Sequence, residues 1–431
     1  MKSLTKIRLR ILFFAVLLLP TLGIQAQDKI WNMLQYDEHS IVRTVNNTKW
    51  LVYSHGKNNN FHMVTPYGGN VSYKQLADDK LKILDFEIFE NIVFFCGVLD
   101  PAAPDAIMGY FSLNNFDTST VYFDTLEDWA EFSKLDVFRV EDQIHVVMTA
   151  KYHNGRGTMV DAREYSTNSW AYCDADFGNR YYSFYDVAVT DSYIVFTSFG
   201  DDFQSSSYLM QSVLWFIKKP TSSGIPIFNN TIGNMHKAKL FDSSSGAILI
   251  KHTSGDDFVI SSKVMSGLIL GVSFFSGLNY YMSKMINCHS YDVLGDLSAC
   301  SIPNNIVALL KNPTSSGTIR SGIVWTSYPS TPPPLGVTMR YSTTEYINSI
   351  DLWMGATFAA SGHDFSSNNL NVYYINAIHS GHCFQDLLDE DVEREFGYNY
   401  EKTDFPQRNY AFPMNNMVST KETFEPKVTC E

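Results

Sequence analysis

Charge is scarce in this sequence and cysteine scarcer: 18% of the 431 residues are Asp, Glu, Lys or Arg, and six are Cys. With 45% hydrophobic residues, so low a charge excludes a solvated, disordered chain. Basic residues are the rarer sign, 32 against 45 acidic, for a formal charge of −13. Such a surface repels phosphate backbones, because nucleic-acid affinity comes from Lys and Arg displacing counterions; nucleic acid is excluded as a partner. The patterns of common catalytic sites are missing too. There is no G-x-S-x-G elbow, no H-E-x-x-H helix and no phosphate-binding glycine loop, so nothing signals catalysis or a cofactor. Long apolar runs are few. Val264 to Met282 carries no charge between Lys263 and Lys284 and has the length of a membrane helix. Three Gly, three Ser and one Asn dilute it, and Ser-Gly-Leu recurs at Ser266 and Ser276, which points to turns between buried strands instead.

What is abundant is aromatic. Phe (30) and Tyr (25) are frequent, and such residues suit a pleated, half-buried surface. The N-terminus reads as an export signal: MKSLTKIRLR has four basic and no acidic residues, ILFFAVLLLP is a short apolar run, and Ala26 precedes a cut at Gln27. Without residues 1–26 the chain has 28 basic residues against 45 acidic, a charge of −17. The expected compartment is the periplasm, the cell surface or the outside. There disulfides form, and the candidate pairs are Cys288 with Cys300, which bracket a short loop containing Asp and Gly, and Cys383 with Cys430, which bracket the C-terminal tail. Cys96, in NIVFFCG, reads as a buried strand thiol. Sequons at Asn46, Asn70 and Asn229 leave a eukaryotic secreted origin open.

A repeat organises the chain. DFEIFENIVFFCG from Asp85, DVFRVEDQIHVVMTA from Asp136 and DVAVTDSYIVFTSFG from Asp186 stand 51 and 50 residues apart. Looser copies start near Ser40, Leu240, Asn304 and Ser349. Each unit reads as a strand, a polar turn, a second strand rich in Val, Ile and Phe, a glycine, and a third strand. Four-stranded sheets repeating every 50 residues or so are what a β-propeller requires, so an all-β propeller of about seven blades, with a range of six to eight, is expected over residues 27–382. A β-sandwich array is the competing architecture. The resemblance is to secreted bacterial propeller repeat proteins in general; it implies a fold and transfers no active site. Past residue 383, Phe384, Leu387, Leu388, Val392 and Phe396 share a helical stripe ending at Gly397, which predicts a short acidic helix followed by an irregular tail over 383–431, packed on the propeller.

Candidate sites are sparse. GDDFQSS from Gly200, GDDFVISS from Gly255 and GHDFSS from Gly362 share a glycine, acidic residues and Phe. Gly tolerates positive φ and Asp bonds its own backbone, so the motif reads as a turn after the second strand. The alternative is calcium held by Asp201, Asp202, Asp256 and Asp257. His379 and His382 could share a metal across Gly381. Aromatic loops suggest recognition of sugar rings or peptides, with Tyr181, Tyr182, Tyr185 and Tyr373 as candidate ligand contacts; the bland reading makes alternate members of these runs core residues. The expected function is a monomeric binding module or interaction scaffold for a glycan or protein. The rival is a carbohydrate-active enzyme with two carboxylates facing each other at the propeller channel.

Overall fold

The computed structural model describes residues 29–428 apart from connecting stretches, of which 202–209, 241–247, 312–320, 328–337 and 377–384 are the longer; beyond 384 it describes only short strands and not their side chains. The chain is all-β, with no helix among the described residues. Its strands form seven antiparallel sheets, two of which share a strand.

Five sheets take four consecutive strands each. The second runs from Leu81–Phe89 to Val121–Leu126, the third from Glu131–Val140 to Ser169–Ala175, and the fourth from Tyr182–Val189 to Met235–Leu240. The fifth runs from Ile248–Ser254 to Asn279–Asn287 and the sixth from Val293–Cys300 to Thr338–Thr343. The first and seventh meet in the strand Lys29–Asn46. Residues 37–46 pair with Lys49–Gly56 and open the first sheet, whereas residues 29–36 pair with Asn369–Asn376 and complete the seventh. Sequence copies placed near Leu240 and Asn304 are therefore offset, since the first strands of the fifth and sixth sheets start at Ile248 and Val293.

Second strands such as Ile92–Leu99 and Gln143–Lys151 are buried at successive positions, so both faces of a sheet are apolar and each is buried against a neighbour. Seven apolar clusters result, one for each pair of sheets adjacent in chain order and one between the last and the first. Phe138, Val147 and Met159 of the third sheet meet Tyr182, Phe184 and Trp215 of the fourth. Val42, Trp50 and Val52 of the first meet Ala359, Leu370 and Val372 of the seventh. The first strands of the sheets pack on one another in the same series, and residues of Lys29–Asn46 touch the first strands of both the second and the seventh.

Two sequence features find a local cause. The uncharged stretch at 264–282 contains the hairpin Ile269–Ser276 and Asn279–Asn287, turned at Gly277 with φ of 54°, and no helix among the described residues is long and apolar enough to cross a membrane. The repeated glycine has two separate uses. Gly255 sits at positive φ in the two-residue turn between Ile248–Ser254 and Asp257–Val264. Gly200 and Gly362 instead lie in second strands; at Gly362, as at Gly97, a Cβ would run into the backbone of the first strand beside a register shift, and at Gly200 it would meet the Tyr182 ring and the Tyr181 carbonyl. The copy at Gly255 is a turn that precedes the second strand and does not follow it, whereas in the other two copies the residues after Asp201 and His363 lie outside the described residues.

The tail departs from expectation. In place of a helix over 384–397, Gln385–Asp386 and Asp391–Val392 are short strands on the outer edges of the sixth and fifth sheets. The stripe is too short for a helix to be stable alone, and open sheet edges offer rows of unpaired N–H and C=O groups. The rest of the tail is equally regular: Tyr398–Lys402, Gln407–Pro413, Asn415–Met417, Ser419–Phe424 and Lys427–Val428 add strands to the fourth, third, second, first and seventh sheets.

Candidate functional site

The first strands converge on a cavity of about 180 Å³ lined by Arg43, Asp85, Glu87, Lys134, Asp136, Asp186, Lys251 and Asp296, with His252 and apolar residues between them. Six sheets contribute. Charged side chains reach it because the first strands are bulged, and at three of them an aspartate follows the register shift directly: Asp85, Asp186 and Asp296. A bulge bends its strand and re-aims the next side chain, here toward the cavity and away from the apolar faces.

The aspartates join one sheet to the next. Asp85 Oδ2 accepts from the Leu135 amide at 3.3 Å, Asp136 Oδ2 from Val189 at 2.7 Å and Asp186 Oδ2 from Ile250 at 2.9 Å. Asp296 Oδ2 accepts from Ile350 at 2.9 Å, and Asp351 Oδ2 from Thr44 at 2.6 Å. In Asp136, Asp186 and Asp296 the other oxygen accepts from the amide of the following residue, so both oxygens are fixed. Asp351 thereby ties the seventh sheet to the first. The fifth sheet has Lys251 after Ile250, where the third has Asp136 after Leu135 and the seventh has Asp351 after Ile350.

Cations meet carboxylates unevenly. Glu87 holds Arg43 Nε at 3.2 Å and Lys251 Nζ at 3.0 Å, while Asp85 holds Arg43 Nη2 at 2.5 Å. Burial opposes ionisation of Glu87, yet the Lys251 and Arg43 charges outweigh it and keep its carboxyl below the usual range. Burial likewise opposes ionisation of Asp296, and Lys134 and Arg43 overcome it. Asp136 and Asp186 have no cation within 4 Å among the described residues. Burial, with Glu87 nearby, pushes Asp136 up to about 7, and burial raises Asp186 to about 6. Lys134 reaches Asp85 only at 3.9 Å; burial disfavours its charge, but Asp85, Asp296 and Asp186 hold its proton more firmly than usual. The cavity therefore presents fixed acceptors on several sides, one ammonium without a close hydrogen bond, and two carboxyls that take up protons near neutrality.

The residues singled out from the sequence lie elsewhere. Tyr182 and Tyr373 are fully buried: Tyr182 packs edge-on to Trp215 between the third and fourth sheets and Tyr373 lies between the sixth and seventh, so neither offers a ring to a ligand. Both faces of a sheet are covered, so successive strand residues are buried against different neighbours: Tyr373 faces the sixth sheet and Tyr374 the first. Tyr185 is half-buried and Tyr181 is 46% exposed. Asp256 accepts from Ser192 N at 2.7 Å, Ser192 Oγ at 2.7 Å and Thr190 Oγ1 at 2.9 Å, so it clamps the fifth sheet to a turn of the fourth. Asp257 is exposed, and Asp201 ends Tyr193–Asp201; the Asp201 side chain and Asp202 lie outside the described residues. Among the described residues no group of three or more His, Cys, Asp or Glu side chains is placed to hold a metal ion. Cys96 is a buried free thiol, as is Cys173, and burial drives both well above the ordinary thiol range. Of the candidate disulfides, Cys288, Cys383 and Cys430 lie outside the described residues, as do the Cys300 side chain, His379 and His382.

The cavity residues carried a signal that was used only as a ruler. Asp85, Asp136 and Asp186 head the aligned repeats, and aspartate is depleted from strand interiors, so its recurrence there marks a position with a task. Arg43, Lys134 and Lys251 have no such pattern; only their convergence in space distinguishes them. No family model matches this chain, and no curated protein proves similar to it.

Proposed function

We propose that the seven sheets are the blades of a seven-bladed β-propeller and that the exported chain is a binding module, taking one unit of a glycan in its axial cavity. The propeller reading is supported by the apolar cluster and the Asp351–Thr44 bond that join the seventh sheet to the first, and by the strand those two sheets share. Export rests on the basic and apolar N-terminal run; periplasm, cell surface and exterior all agree with it, and the kinship is to secreted bacterial propellers.

One observation carries the ligand class: the cavity mixes fixed carboxylate acceptors with the free donors of Lys134. Sugar hydroxyls donate and accept at once, so they need both. At about 180 Å³ the cavity is smaller than the roughly 300–1,000 Å³ that holds a drug-sized ligand, which suits a single ring at a chain end. The test is calorimetry of the purified chain from Gln27 against a panel of mono- and oligosaccharides, with and without calcium. Saturable binding that Lys134→Met weakens at least tenfold is expected; a panel that gives no heat, with a protein that melts normally, removes the reading in favour of a protein-binding scaffold.

A second reading has its own observation. Glu87 is held ionised while Asp136 is pushed toward neutral in the same cavity, and carboxyls driven apart in this way are the pattern of a base and an acid. Release of reducing ends from a polysaccharide, abolished by Asp136→Asn in a chain that still melts cooperatively, would make the molecule a glycoside-cleaving enzyme.

A further inference from the structure

We propose that the C-terminal segment is a detachable strap, and that the outer edges it covers form a strand-accepting surface whose partner is the same segment of a second copy of this chain. The observation is the order of its pairings. After the last strand of the seventh sheet, the segment adds one antiparallel strand to the sixth, fifth, fourth, third, second and first sheets in turn, and ends on the seventh. It runs opposite to chain order and places a strand on the outer edge of each of the seven sheets.

Its grip is uneven. Seven residue pairs hold Gln407–Pro413 on the third sheet, six hold Ser419–Phe424 on the first and five hold Tyr398–Lys402 on the fourth. Three hold the second sheet, and two each hold the sixth, fifth and seventh. Both ends are thus the weak places, and local opening starts where the fewest backbone bonds resist it. Many weak attachments in series bind firmly only while linked, because each engaged strand raises the effective concentration of the next. Proline punctuates the segment to match: Pro406 comes just before Gln407–Pro413, Pro413 closes it, and Pro426 comes just before Lys427–Val428. Lacking an N–H, proline ends a ladder, so the sequence divides the strap into lengths that each serve one sheet.

Backbone pairing does not distinguish a strand of the same chain from one of another. An edge laid bare presents its N–H and C=O groups to any extended peptide, and the segment best matched in register is the identical one from a second copy. Opening of the strap at micromolar concentration therefore leads to exchange between molecules, and its removal leads to association through the edges.

The experiment uses the full chain with a protease recognition sequence placed within residues 377–384 and cut after folding. The cut segment is expected to co-elute with the body on size exclusion. A fluorescent peptide of residues 383–431 in excess should replace it over hours, and the body freed of strap should elute as dimers or larger species that return to their original size when peptide is added. The double substitution Asn409→Pro, Tyr410→Pro, at the centre of the longest pairing, should speed exchange at least tenfold. The proposal is overturned if the label never enters, if the freed body keeps both its size and its melting temperature, or if the proline pair leaves the exchange rate unchanged.

Discussion

At the scale of single residues, the chain spends its few charges in an unusual place. Asp136 has both oxygens tied to backbone amides, yet it lacks a close cation, and burial holds its proton up to about pH 7. A carboxyl whose folded pKa exceeds its unfolded value binds more protons in the native state, so stability falls as pH rises between the two values and is level above them. Unfolding in urea at steps from pH 4.5 to 8 should therefore show a decline through Asp136 and Asp186 that Asp136→Asn makes shallower. The slope should change by up to about 1.4 kcal/mol per pH unit for the one proton removed. Equal slopes in the two proteins would mean that Asp136 titrates normally. Such a role was half legible beforehand: the spacing of Asp85, Asp136 and Asp186 was plain, but a lone sequence does not say that three strands aim these residues at one point.

At the scale of elements, two patterns identified the strands: near-continuous apolar runs in second strands such as Ile92–Leu99 and Gln143–Lys151, which are buried on both faces, and partial alternation in first strands such as Leu81–Phe89. The glycine motif was legible as recurrence, but its expected place after the second strand fails at Gly255, whose turn precedes that strand. Gly97 and Gly362 accommodate the close approach of a neighbouring strand, whereas Gly255 supplies a positive φ with open space around it. The two uses predict different costs. Gly97→Ala or Gly362→Ala should destabilise by about 1–3 kcal/mol or more, since a Cβ there meets backbone that cannot turn aside. Gly255→Ala should cost about 1 kcal/mol, the strain of the left-handed region alone. Chemical denaturation of the three variants checks the order, and Gly255→Ala as the worst of them would contradict it. The expected helix at 384–397 failed for a reason the local sequence does not contain: the pairing partners that capture Gln385–Asp386 and Asp391–Val392 lie 43 to 45 and 105 to 107 residues earlier.

At the scale of the whole molecule, the number seven was legible from the period, and the sharing of one strand by two sheets was not. The reason is sequence distance. Ile30 lies opposite Tyr373 and Trp31 opposite Val372, and no local pattern links residues so far apart. If the sheets are mutually dependent, Trp31→Pro, which removes a donor from the shared strand, should lower one cooperative thermal transition by the equivalent of about 3 kcal/mol or more. A melt in which only a minor early phase moves, with the main transition untouched, would mean that the sheets stand independently.

The shared strand also orders events in time. Its first half is among the earliest stretches of the described chain to be synthesised, and it has no partner until Asn369–Asn376 exists. Every later sheet can assemble from neighbours as it emerges, but the seventh waits for the two ends of the chain to find each other, and contacts of such sequence separation are the slow ones. Until then the nascent molecule has one strand unpaired along half its length and a seventh sheet of three strands. It becomes resistant to proteases in one late step and not by degrees.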